Sequence, residues 1–237
     1  VAWCAVYCLL IRHRNVPCTL IVPENQGVAA YLKSTELYRM LLEQGVDVDP
    51  RGLGEPSAAQ TILPLSRFST EMEAEQLANT ALERLSALGL GAANLPPVVS
   101  ENFAELAFNV VQHSESPIGG VGLVQFFEYE GGRRFTIVVA DGGIGIRAAL
   151  WKNVVLQERI HYDWTAIELA ARERISGTGD ATRGIGLFGV AEDARRGGRR
   201  LIIHSGIGLL EISEDVHQDS RRTNPFPGTL GFMSISS

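Results

Sequence analysis

With 237 residues, 45% of them apolar and 20% charged, the chain can form one large or two small domains with a real core. Its formal charge of −6 argues against a general nucleic-acid binder, which would carry a basic excess. Three cysteines (Cys4, Cys8 and Cys18), odd in number and without a histidine cluster beside them, fit neither a disulfide framework nor a zinc site. A reducing cytoplasm is the expected compartment.

The apolar run Val1 to Ile11 is too short for a membrane span and lacks a preceding basic region, so neither an anchor nor a signal peptide is expected. It reads as a core helix of a truncated element over 1–14, with Arg12, His13 and Arg14 in its last turn, where cations suit the helix dipole. Cys18 to Val22 reads as a short buried strand ended by Pro23. Val28, Leu32, Leu37, Leu41 and Leu42 give a second, looser helical stripe closed by Gly45. Helix, strand and amphipathic helix in this order resemble the latter half of a STAS-type domain, so residues 1–46 are expected to be a partial STAS-like α/β region. Pro50, Gly52, Gly54 and Pro56 mark 47–60 as a linker.

Residues 61–66 read as a strand. Thr70 and Glu73 then form a capping box, Leu77, Ala81, Leu85 and Leu88 make one helical face, and Gly89 ends it. Pro96 and Pro97 open a helix running to about Ser114, with Val99, Phe103, Leu106 and Val110 as its buried stripe. Strands are expected near 121–129 and 134–140, joined by Gly131-Gly132. A variable stretch follows with one helix from Asp163 to about Ile175, then a glycine segment and a helix over about 185–196. Strands near 200–204, 209–213 and 229–235 complete the pattern.

Three short signatures carry chemistry. Glu105, Asn109 and His113 are spaced i, i+4, i+8, so they drift only about 40° and share one helix face. Asn109 offers a neutral oxygen suited to Mg²⁺ beside phosphates, and Glu105 could orient water or accept a hydroxyl proton. A solvated helix face is the plain alternative. Asp141-Gly142-Gly143-Ile144-Gly145-Ile146 follows the strand Phe135 to Ala140, placing a carboxylate where it can accept a hydrogen bond from the adenine amine. Gly143 and Gly145 let backbone approach a ligand, although a simple strand-to-helix turn reads the same way. Arg183-Gly184-Ile185-Gly186-Leu187 opens a helix whose free N–H groups face an anion. It is neither a Walker loop nor a dinucleotide fingerprint. Arg183 serves a phosphate or a lid surface equally well.

Together these motifs resemble the N, G1 and G2 boxes of the GHKL superfamily (gyrase, Hsp90, histidine kinase, MutL), across about residues 61–237. Gly228-Thr229 resembles the Gly-Thr before that family's last strand. The resemblance implies an α+β protein: a two-layer Bergerat ATP-binding sandwich, its mixed, mostly antiparallel sheet covered by helices on one face, beside the small N-terminal α/β region. It implies ATP with Mg²⁺ at Asn109 and adenine at Asp141 and Thr229. His113, Gly143, Gly145, Ile146, Arg183, Gly184, Gly186 and Leu187 would complete the nucleotide site, the phosphates lying at the 184–187 turn. Glu105-x-x-x-Asn109-x-x-x-His113 is similar to the N box of the serine-kinase and anti-sigma-factor branch, in which the glutamate would be the base. That branch implies a regulatory protein partner, an anti-sigma antagonist or a response protein; it allows a homodimer and requires neither nucleic acid nor membrane. The 70–88 helix has no histidine, which disfavours autophosphorylation on histidine, and 147–183 is longer than a minimal lid and carries Glu173 and Asp180. A protein serine/threonine kinase or anti-sigma-type switch leads; an ATP-hydrolysing switch and a binding-only sensor are the alternatives.

Overall fold

The computed structural model describes residues 1–49, 60–89, 95–172, 186–216 and 218–236. Its centre is a five-stranded antiparallel sheet of β3 (Gln60–Phe68), β4 (Gly120–Tyr129), β5 (Gly132–Asp141), β6 (Arg199–Ser213) and β7 (Asp219–Ser236), in the order β3-β4-β5-β7-β6. With the surrounding helices this is an α+β fold.

On one face lie α4 (Glu71–Leu88), α5 (Leu95–His113), α7 (Asp163–Arg172) and α8 (Gly186–Ala194). The capping box forms as expected: Thr70 Oγ1 accepts from the Glu73 N–H, and the Glu73 carboxylate accepts from the Thr70 N–H. Gly89 closes α4 in the left-handed conformation at φ 60°. Val99, Phe103, Leu106 and Val110 are buried on α5 against Val124, Ile137, Val139 and Leu201 of the sheet. Burying such side chains contributes about 1.5–3 kcal/mol each, which anchors the helix that carries the first motif.

The opposite face is covered too, by the N-terminal segment. α1 (Ala2–His13), α2 (Gln26–Ser34) and α3 (Leu37–Glu43) share a core with Leu65, Val121, Leu123 and Ala140 of the sheet. The helix expected across 28–42 is broken. Glu36 sits at φ 58°, and the Thr35 carbonyl between the two pieces accepts from the Leu65 N–H at 2.9 Å. The break therefore satisfies backbone groups along β3, which a continuous helix could not do. Tyr31 adds a side-chain bond across the same seam, its hydroxyl donating to Gln125 Oε1 at 2.8 Å.

β1 (Thr19–Ile21) pairs in parallel with β2 (Asp47–Asp49) alone. β2 thus occupies the start of the expected linker, while 50–59 lie outside the described residues. The expectation of a buried strand fails: Ile21 is 74% exposed. The two-residue period turns Leu20 and Val48 toward the core and sends Thr19 and Ile21 outward. Two further elements, a helix and a 3₁₀ turn between β5 and the expected helix at Asp163, escaped the sequence reading. A compact subcluster of α6 (Gly145–Trp151), a 3₁₀ turn (Val154–Arg159) and α7 packs around Leu150, Leu156, Ile160 and Ala166. The three C-terminal strands expected separately are two long ones, β6 and β7, paired through register shifts at Gly206. No helix among the described residues is long and apolar enough to cross a membrane.

Candidate functional site

The strand register builds the site. Gly120 pairs with Asp141, Ala140 pairs with Leu230, and Ser205 pairs with Thr229. Asp141, Thr229 and Ser205 therefore fall in a row across β5, β7 and β6, at the end of the sheet under α5. Above that row opens a cavity of about 800 Å³, its mouth included. Its walls are Leu106, Asn109, Val110 and His113 of α5, Gly145, Ile146, Ala149 and Leu150 of α6, and Leu187 of α8. Val139, Ile203 and Gly231 form an apolar floor, and Asp141 and Thr229 stand at the polar end.

Asp141 is almost completely buried at 1% exposure. Burial pushes its carboxyl up to about 7, against the opposing pull of backbone N–H groups from Gly143 and Thr229. The Gly143 N–H reaches Oδ1 at 2.7 Å. Gly143 itself does not line the cavity; its place is dictated by packing. A Cβ there would fall 1.9 Å from the Ser114 carbonyl oxygen. That carbonyl is the acceptor for the Ile144 N–H at 2.8 Å, the bond that ties the end of α5 to the turn after β5. Gly143→Ala should therefore cost about 3 kcal/mol through displaced backbone. Urea unfolding checks this, and an unchanged midpoint would show that the turn is loosely held.

Ser205 was not singled out in the sequence, because the strand was expected to end at His204. It is buried and joins three parts of the site. Its hydroxyl donates to the Gly228 carbonyl at 3.1 Å, accepts from the Ile146 N–H at 2.9 Å and lies 3.1 Å from Thr229 Oγ1. The available signal was a lone serine inside the apolar run Leu201 to Leu210, beside a glycine.

The first motif divides between two positions. Asn109 and His113 line the cavity, whereas Glu105 lies outside its lining, one turn further back on α5. The Asn109 amide donates to the Glu105 carbonyl at 2.7 Å, which commits its nitrogen and leaves Oδ1 for another partner. Burial, then the neighbouring Glu101, raises the Glu105 carboxyl above its usual range. Gly186, the first residue of α8, presses on this wall: a Cβ there would lie 2.9 Å from both Glu105 Oε2 and Asn109 Nδ2. The start of α8 thus meets the first motif directly, and Leu187 turns into the cavity. Arg183 and Gly184 lie outside the described residues.

No family model matches the chain, and neither a curated protein nor a solved structure matches it. What the site can do is therefore argued from its chemistry. An apolar slot ending in a buried carboxylate suits a flat heterocycle with a hydrogen-bond donor on its edge. An amide oxygen and a carboxylate where a helix begins, at the other side, suit a polar extension of that ligand. Among the described residues no group of three or more His, Cys, Asp or Glu side chains could hold a metal ion. A cation here would have to draw most of its ligands from the bound molecule and from water.

Proposed function

We propose that the cavity binds ATP with Mg²⁺ in the manner of the GHKL superfamily, that the sheet and its α4, α5, α7 and α8 layer form a Bergerat-type domain, and that the protein acts as a protein serine/threonine kinase or anti-sigma-type switch. The observation that carries this reading is convergence. Residues from all three sequence signatures (Asn109 and His113, then Asp141, Gly145 and Ile146, then Leu187) line one cavity together with Thr229. They are separated by up to 120 positions in the chain, and chance gives no reason for them to meet.

In this reading the adenine ring lies on Val139, Ile203 and Gly231, its exocyclic amine donating to Asp141. The triphosphate runs toward Gly186 of α8, which packs against Glu105 and Asn109. The donor set fits the metal in a limited way: Asn109 Oδ1 supplies one neutral oxygen, as Mg²⁺ bound mainly through phosphates and water requires. Mg²⁺ would offset charge on the transferring phosphoryl. Glu105, beside Asn109 with a raised affinity for protons, accepts the proton of an incoming hydroxyl.

Incubation of the chain and its protein partner with γ-labelled ATP tests the assignment. Label on a protein serine or threonine is the expected result. Free labelled phosphate would replace the kinase by an ATP-hydrolysing switch, and binding without turnover would leave a sensor. Absence of any ATP binding would remove the proposal.

A further inference from the structure

Ser205 is buried beside the polar end of the cavity, and each of its three hydrogen bonds has a fixed direction. A hydroxyl carries one proton and two lone pairs. The Gly228 carbonyl can only accept, so that contact at 3.1 Å takes the Ser205 proton. The Ile146 N–H can only donate, so that contact at 2.9 Å takes one lone pair. One lone pair remains for Thr229 Oγ1 at 3.1 Å, and the bond forms only with Thr229 as the donor. The reverse arrangement would set bare lone pairs against the Gly228 carbonyl around a residue only 2% exposed, where an unmade hydrogen bond costs most.

The consequence falls on Thr229, which lines the cavity. With its single proton turned toward Ser205, its hydroxyl offers only lone pairs to whatever enters. Thr229 lies one step beyond the Ala140–Leu230 pair, which sets it across from Asp141 on the adjacent strand. Opposite residues of an antiparallel pair hold their Cβ atoms about 4.5–5.5 Å apart. An ionised carboxylate is likewise an acceptor only. The polar end of the cavity thus presents two acceptors side by side.

We propose that Ser205 is a positioning residue that sets the hydrogen-bond polarity of Thr229, and that the Asp141–Thr229 pair thereby selects a heterocycle bearing a primary amine over one bearing a ring carbonyl. The choice of nucleotide rests on the ATP reading above; the direction of the Ser205–Thr229 bond does not. A primary amine brings two protons, one for each acceptor. A ring carbonyl brings none and places its oxygen against two others. Thr229 could relieve that clash only by turning its proton into the cavity. Ser205 opposes the turn, because it would break their bond and leave a buried Ser205 lone pair without a partner.

The test compares ATP with inosine triphosphate, in which a carbonyl replaces the amine, by titration calorimetry on the full chain. It is run at pH 8, where Asp141, held at about 7 by burial, is ionised. The native chain should favour ATP. Ser205→Ala frees the Thr229 proton to face the cavity, so the preference for ATP over inosine triphosphate should narrow about three- to tenfold, the equivalent of one neutral hydrogen bond. Loss of packing alone would weaken both nucleotides and leave their ratio unchanged. Thr229→Val removes the hydroxyl and keeps the branched shape; in that background Ser205→Ala should no longer alter the ratio. An unchanged ratio in Ser205→Ala, or the same change with and without the Thr229 hydroxyl, would overturn the proposal. Urea unfolding of the native chain, both single variants and the double variant reads the bond itself. The double variant should lose less than the two single losses combined, whereas additive losses would show that the bond contributes nothing. A chain that binds neither nucleotide would refute the ATP reading and the selectivity with it, and the unfolding cycle would still decide the bond.

Discussion

Asp141→Asn is expected to weaken ATP binding about 30- to 150-fold, the equivalent of roughly 2–3 kcal/mol for a buried hydrogen bond to a charged acceptor. The asparagine keeps the shape, but its amide can present an N–H to the adenine amine and loses the carboxylate charge. Affinity should also depend on pH in a manner that identifies the residue. Burial holds the free carboxyl at about 7, whereas a bound amine requires the ionised form. Binding near neutrality therefore releases a proton, and affinity falls up to about tenfold for each pH unit below 7. Titration calorimetry in buffers of different ionisation enthalpy measures that proton, and a pH-independent affinity would exclude Asp141 as the acceptor. The unliganded fold carries the opposite dependence. With the folded value raised above the usual 3.8, the native state holds the proton longer than the unfolded chain. Stability is then fullest below about pH 4 and declines as pH rises to about 7. Asp141→Asn should flatten that decline in thermal unfolding.

Glu105→Gln is expected to reduce phosphoryl transfer by about 10²–10⁴-fold while changing the ATP Kd only slightly. The separation follows from position: Asn109 lines the cavity, and Glu105 lies outside the lining on the same helix. Burial and Glu101 raise its carboxyl, so the rate should climb with pH as Glu105 ionises. Glu101→Gln removes one of those causes and should move the rising limb to lower pH without abolishing turnover. A Glu105→Gln variant with undiminished transfer would show that another group takes the proton.

The parts of the molecule set by local chemistry were readable in the sequence. The capping box at Thr70, the αL glycine after α4 and the apolar stripe of α5 depend on neighbours three or four positions away. The Glu105–Asn109–His113 face follows from helical period alone, and Leu187 lay at a recognisable helix start. What escaped detection depends on distant partners. Ser205 acquires its role only when register places it beside Thr229, and the β6–β7 pairing bridges an apolar run that Gly206 and Gly208 interrupt. The break at Glu36 faces the edge of β3, whose Leu65 N–H donates to the Thr35 carbonyl. The N-terminal layer over the second face was equally hidden, since nothing in α1 names Ala140 or Leu123 as its partner.

β7 follows every other strand in sequence yet lies between β5 and β6 in the sheet. The consequence concerns the order of assembly. The β4–β5 hairpin can zip as soon as it is made, but β5 keeps an open edge, and Asp141 has no Thr229 beside it, until β7 arrives. β6 must meanwhile wait without a sheet partner, held by its contacts with α7 and α8. The pocket is thus a product of long-range pairing, the slowest class of contact to form, and an interrupted chain would expose the open edge of β5 and an unpaired β6 rather than a weakened site.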